Sequence, residues 1–169
     1  MGKRPRYWLD SSLFITAEKT MFAFDINASF WGWMSDALDK GTVGAPKKVY
    51  EEVVENVRKE DELVRWVKAR RKCGLCIEPD ANVLAALKKV TAYVFEDGGR
   101  YKPAFAIHFV KGADPWIIAY AMAHKGVVVS QETDGQPTAN RVRIPDVCEH
   151  FGVECIKVWD MLRKLEVRL

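Results

Sequence analysis

The stretch GADPWIIAYAMAHKGVVVSQE, residues 112–132, decides the fold. Asp114-Pro115 opens a helical run, because an acid side chain can accept the free N–H groups of a helix start and proline suits the first helical position. Gly126 closes the run, since helices commonly end on a glycine. Val127-Val128-Val129-Ser130 then reads as a strand buried on both faces: it is continuously apolar and β-branched, where a half-exposed strand would alternate.

The same plan recurs outward from this stretch. Tyr7-Trp8-Leu9 precedes Asp10-Ser11-Ser12, and Thr42 to Ala45 precedes Pro46 and the helical KKVYEEVVENV. Leu75-Cys76-Ile77 precedes ANVLAALKKVTAYVF, which Pro79 and Asp80 begin, and Val153 to Val158 follows a helix opened by Pro145-Asp146 and closed by Gly152. Two more helices are expected over Ala28 to Asp39 and Glu60 to Lys72. Strands alternating with helices predict an α/β fold of three layers, a central parallel sheet of about five strands covered by helices on both faces. Residues 1–169 read as a single domain with no internal repeat or low-complexity linker.

Composition limits the function classes. The chain is 49% hydrophobic, enough for a sizeable core, yet no apolar run is long enough to span a bilayer. The basic start, MGKRPRYWLDSS, lacks the long apolar stretch and small-residue cleavage site of a secretory signal, so a cytoplasmic protein is expected. A net charge of +3 permits a phosphate-bearing partner without demanding one. The cysteines fall as Cys73-Gly-Leu-Cys76, Cys148 and Cys155. Four thiolates can close a zinc site, but the second pair is poorly spaced for it, which favours small buried thiols.

In a parallel sheet the carboxyl ends of the strands form the crevice where ligands bind. Asp10 ends the first strand, Glu132 lies just past Ser130, and a crossover would bring Asp114 to the same edge. Each acid also has a structural reading: Asp114 and Asp10 as helix caps, Glu132 as a solvated loop residue. Gathered at one edge, however, like charges repel, and a hard cation is their natural partner. The helix KKVYEEVVENV offers a further acid. At about 100° per residue, Val49, Tyr50, Val53, Val54 and Val57 form one apolar stripe, with Glu51 and Glu52 on its opposite shoulders. The helical wheel does not choose between them.

YWLDSS, an E-V pair after a short second strand, ADPWIIAYA and VVVSQE together resemble the PIN-domain nucleases. They more closely resemble the PIN-like branch with an aromatic-rich FWGWM segment and a late IPDVCEHFGV motif, over almost the whole chain. The resemblance implies a PIN-like fold and assigns the acids as Asp10, then Glu52 because it directly precedes Val53, then Asp114 and Glu132. Many members carry Thr-Asn or Ser-Asn after the first Asp, where this chain has Ser11-Ser12 in support, and Asp at the fourth position, where it has Glu132. The implied activity is Mg²⁺- or Mn²⁺-dependent hydrolysis of RNA, with the chain as the toxin of a toxin-antitoxin pair and a protein antitoxin as partner.

The chemistry suits such a site. Magnesium and manganese take carboxylate oxygens, hold a phosphodiester and lower the pKa of an attacking water, so no histidine base is needed. His108, His124 and His150 show no metal-ligand spacing. For RNA contacts the candidates are Arg70, Arg71, Lys72, Lys88, Lys89 and Arg141 and Arg143 at the end of the loop QETDGQPTAN. Phe30, Trp31, Trp33 and Met34 suit a core or a homodimer seam better than base stacking. Two rival readings are a catalytically weak PIN-like module that binds RNA or protein, and a haloacid-dehalogenase-type phosphatase. The second fares worse, because its D-x-D pattern would need an acid at position 12, which is serine.

Overall fold

The computed structural model describes residues 5–20, 22–59, 61–96, 100–132, 135 and 138–169. Four parallel strands, β1 (Tyr7–Leu9), β2 (Val43–Gly44), β3 (Val127–Val129) and β4 (Cys155–Ile156), form a sheet in the order β2-β1-β3-β4. Registers Tyr7↔Val127 and Leu9↔Val129 place the ends of β1 and β3 side by side, and Asp10 N–H extends the ladder to Val129 O at 3.0 Å.

Successive strand residues point to opposite faces, and each face builds its own core. Tyr7, Leu9, Val43, Val127 and Val129 pack under α1 (Ser11–Lys19), α2 (Ala28–Asp39), α3 (Lys47–Asn56), α4 (Glu62–Ala69) and, at the other end of the chain, α9 (Val158–Lys164). Trp8 and Val128 pack under α5 (Ala81–Glu96), α6 (Pro103–Lys111), α7 (Asp114–His124) and α8 (Ile144–His150). This is the expected three-layer α/β fold. Among the described residues no helix is long and apolar enough to cross a membrane.

Several expected elements are shorter or displaced. The strand expected at Leu75-Cys76-Ile77 is a single parallel bridge, Ile77↔Pro46, at the edge beside β2. A π-helical turn, Arg71–Leu75, occupies the chain before it, with Gly74 in the left-handed region at φ 99°, so only a short extended stretch remains before Pro79. The helix expected from Glu60 starts at Glu62, capped by the Asp61 carboxylate accepting from Leu63 N–H at 2.9 Å, and ends at Ala69; Glu60 itself lies outside the described residues. The strand expected over Val153 to Val158 is paired only at Cys155–Ile156, because Val158 already begins α9.

The FWGWM segment lies on α2 and is core. Phe30, Trp31 and Met34 are buried, leaving Trp33 alone of the four with exposed surface, so this segment has little left for a homodimer seam. Cys148 is buried, while Cys73, Cys76 and Cys155 are partly exposed.

Candidate active site

Asp10 leaves the end of β1 and caps α1. It is only 2% exposed, and its carboxylate accepts from Ser11 N–H at 2.7 Å, from the Ser12 hydroxyl, and from the Ser130 hydroxyl at 3.0 Å. The two serines tie this acid to the far side of the site. Ser12 Oγ also accepts from Gln131 N–H, and Ser130 Oγ from Glu132 N–H, each at 3.2 Å. Burial pushes the Asp10 carboxyl above its ordinary value and the Glu52 charge adds to this, while the hydroxyl and amide donors pull it back. Ser130 was not singled out from the sequence. Its signal was a polar residue ending an apolar strand at the predicted ligand edge.

The helix α3 settles the geometry that the wheel left open. Glu52 points toward α1 and accepts from the Ser11 hydroxyl at 2.5 Å, whereas Glu51 points away and lies 3.5 Å from Lys48 Nζ. Val49 and Val53 are buried beneath, which fixes the rotation of the helix and sends the two glutamates to opposite sides.

Asp114 differs from the cap expected of it. Ala113, in a helical conformation at φ −80° and ψ −20°, is the capping residue, and Asp114 is the first residue of α7, with Pro115 following. With one more residue drawn into the helical conformation, the Asp114 side chain no longer reaches back to the free N–H groups. Among the described residues its carboxyl has no hydrogen-bond donor, although it is partly buried. Burial, followed by the charges of Asp10, Glu132 and Glu52, pushes it from 3.8 up to about 8; Arg141 offsets this in part. These influences put the four predicted acids within electrostatic reach of one another.

Glu132 is the most engaged of the four. Its carboxylate accepts from Arg141 at 2.9 Å and from Ile144 N–H at 2.7 Å, the latter at the start of α8, and its carbonyl accepts from Lys157 Nζ. Gln131 beside it accepts from Val158 N–H at 3.1 Å, at the start of α9. The segment after β3 thus binds two helix starts while facing Asp10 and Asp114.

The donor set suits a hard cation: the acids are all carboxylates, and Asp114 is a partly buried one that no donor neutralises. Among the described residues no three His, Cys, Asp or Glu side chains stand close enough to enclose an ion, so the carboxylates act on one another across a gap. Glu52 and Glu132 are held by Ser11, Arg141 and Ile144, and a divalent charge among the acids would relieve their mutual repulsion.

The basic residues expected to meet RNA divide. Arg141 flanks the site on Glu132, with Lys72, Lys88 and Lys89 exposed elsewhere. Arg143 is 6% exposed and donates to both Asp146 oxygens, at 2.8 and 2.7 Å, and to Gly135 O, so it pins the loop instead of presenting a surface charge. Arg70 donates to Ser35 Oγ at 2.6 Å and lies over Trp66, while Arg71 lies over Tyr50. Thr133, Asp134, Gln136 and Pro137 of the loop lie outside the described residues.

A family model described as a domain of unknown function (DUF4411) matches residues 7–169. No curated protein matches the chain. Among solved structures, a chain from the crystal structure of VapBC2 from Rickettsia felis, bound to a DNA fragment from their promoter, superposes with a TM-score of 0.53. The alignment covers 89% of this chain and 97% of that chain at 11% identity, a likeness of fold.

Proposed function

The chain belongs to the DUF4411 family, whose function is open, and we propose that it is a metal-dependent ribonuclease hydrolysing RNA phosphodiester bonds, the toxin of a toxin-antitoxin pair. The observation that carries this reading is the Asp114 carboxyl, set without a donor among Asp10, Glu52 and Glu132 at the carboxyl edge of a parallel sheet. A stable fold gains nothing from such an arrangement unless something positive binds there.

Asp10, Asp114 and Glu52 would hold Mg²⁺ or Mn²⁺, with Glu132 contributing at longer range because both its oxygens already accept hydrogen bonds. Such an ion supplies charge for the phosphodiester and lowers the pKa of water. The chain's own part is orientation. Ser12 and Ser130 lock one oxygen of Asp10, Ser11 holds Glu52 toward it, and Asp114 gives up its proton before it can ligate. A protein partner is proposed by extension from VapBC2, which in its crystal is bound to promoter DNA. The hydroxyl-filled Asp10 and the engaged Glu132 favour the second reading, a catalytically weak module that binds RNA or protein through this edge.

The deciding experiment incubates purified protein with single-stranded RNA, with Mn²⁺ and with chelator. Cleavage that requires the ion and disappears in Asp10→Asn supports the nuclease; equal RNA loss in Asp10→Asn rejects it.

A further inference from the structure

Five of the six tryptophans, Trp8, Trp31, Trp33, Trp66 and Trp159, lie against another aromatic ring. Trp116 has no such neighbour among the described residues, and its partly exposed ring lines a groove of about 300 Å³. The groove runs between α3 and α7, the helices that also carry Glu52 and Asp114, with Glu78 and Pro79 completing its lining. α3 sends Glu52 toward the site and the adjacent Glu51 into the groove, and α7 begins on Asp114 and carries Trp116 two residues on.

The charges in the groove cancel. Lys47 pairs with Glu78 at 2.8 Å and Lys48 approaches Glu51 at 3.5 Å, all four on or near the solvent-facing rim. Tyr120 lines the groove too, but it is 1% exposed, its ring lies against Trp8 and its hydroxyl is committed to Ile77 O at 2.6 Å, so it offers no donor. A phosphate gains little from a neutral rim, whereas a flat uncharged ring can lie on the partly exposed indole with donors and acceptors around its edge. The volume is at the lower end of small-ligand pockets, about that of one nucleotide.

We infer that this groove is a nucleobase subsite, in which a base of the bound RNA strand stacks on Trp116, with Glu51, Glu78, Lys47 and Lys48 meeting its edge. The inference rests on the ribonuclease reading and adds to it the place where the strand is gripped.

The test uses a fluorescein-labelled hexaribonucleotide, kept intact by chelator, and anisotropy to read binding. Trp116→Ala should raise Kd at least about fivefold, the lower end of what one stacked base contributes, and Trp116→Phe should stay within about twofold of wild type. The slope of log K against log salt should be the same in all three, because a stacked base releases no counterions. A second readout needs no variant: 2-aminopurine placed at each position in turn should be quenched at one of them in the wild-type complex. If wild type binds and cleaves RNA but Trp116→Ala binds equally well, or loses affinity together with salt slope, the subsite is wrong and the ribonuclease reading stands. An equal loss in the Ala and Phe variants, or a bound probe quenched at no position, also overturns the subsite. If wild type neither binds nor cleaves RNA, both fall.

Discussion

The starts of α1 and α7 face each other across the sheet edge, and each carries an aspartate, but the two are built in opposite ways. Asp10 is almost sealed from solvent and accepts hydrogen bonds from Ser11, Ser12 and Ser130. Asp114 is more open to solvent, has no donor among the described residues and is held near pKa 8 by burial and its acidic neighbours. The first is a carboxylate whose geometry is fixed before any ligand arrives; the second is left destabilised until one does. A site that needs both properties gets precision from Asp10 and binding energy from Asp114, since relief of repulsion is added to whatever bonds the ion makes.

The largest expected effect treats the two alike. Asp10→Asn and Asp114→Asn should each lower Mn²⁺-dependent cleavage on the order of 100-fold or more, because even partners that only orient a metal ligand cost about 10- to 100-fold. A variant of either that kept more than a tenth of wild-type activity would remove that aspartate from the site.

Stability in chelator should then separate them. In Asp10→Asn an amide nitrogen replaces one acceptor oxygen among buried donors, which should cost about 1–3 kcal/mol in denaturant unfolding. Asp114→Asn breaks no capping bond and relieves repulsion, so it should be as stable as wild type or more so, while gaining much less from added Mn²⁺. The pH dependence has a definite sign. The folded pKa of Asp114 is raised from 3.8 to about 8, so between these values the folded state holds a proton that the unfolded state has lost. Stability of the wild type in chelator should therefore be greatest below about pH 4 as far as this group is concerned, and fall as pH rises toward 8. Asp114→Asn should lack that fall; identical pH profiles for the two proteins would contradict the assignment.

How much of this contrast was legible in the sequence follows from what periodicity and adjacency can carry. The apolar runs of β1 and β3 and the Asp114-Pro115 start were enough to bring Asp10, Asp114 and Glu132 to one edge, because parallel crossovers leave few alternatives. The rotation of α3 was not legible: Glu51 and Glu52 sit on equivalent shoulders of one stripe, and only the Ser11 hydroxyl and the Lys48 ammonium, both tertiary partners, distinguish them. The missing cap at Asp114 depends on one residue more or fewer in helical conformation, the least predictable feature of any helix. Arg143 reads as a surface cation because it follows the polar loop QETDGQPTAN, yet Asp146, one turn ahead, takes it inward.

A smaller effect sharpens the comparison along α3. Glu52→Gln keeps the acceptor for Ser11 but removes a charge from the site, and cleavage should fall about tenfold or more; Glu51→Gln leaves the four acids intact and changes only the groove rim and the contact with Lys48, so its loss of cleavage should be clearly the smaller of the two. The reverse order would mean that α3 is rotated by one residue in the functional protein.

The smallest effect concerns the serine shell that makes Asp10 unlike Asp114. Ser12 and Ser130 donate to the same oxygen, Oδ2 of Asp10, so neither contributes independently of the other. Removing one hydroxyl leaves the other to strengthen its bond, and each single change to Ala should cost about 1 kcal/mol, as an ordinary hydrogen bond does. Removing both leaves that oxygen in a nearly sealed pocket with neither hydroxyl, and the cost rises toward that of an unsatisfied buried charge. The double variant Ser12→Ala, Ser130→Ala should therefore lose more stability in chelator than the two single losses combined, by about 0.5 kcal/mol or more. In an Asp10→Asn background the excess should shrink, since the acceptor charge is gone. Additive losses in the wild-type background would mean that the two hydroxyls serve the Gln131 and Glu132 amides instead, and Asp10 would then be no better fixed than Asp114.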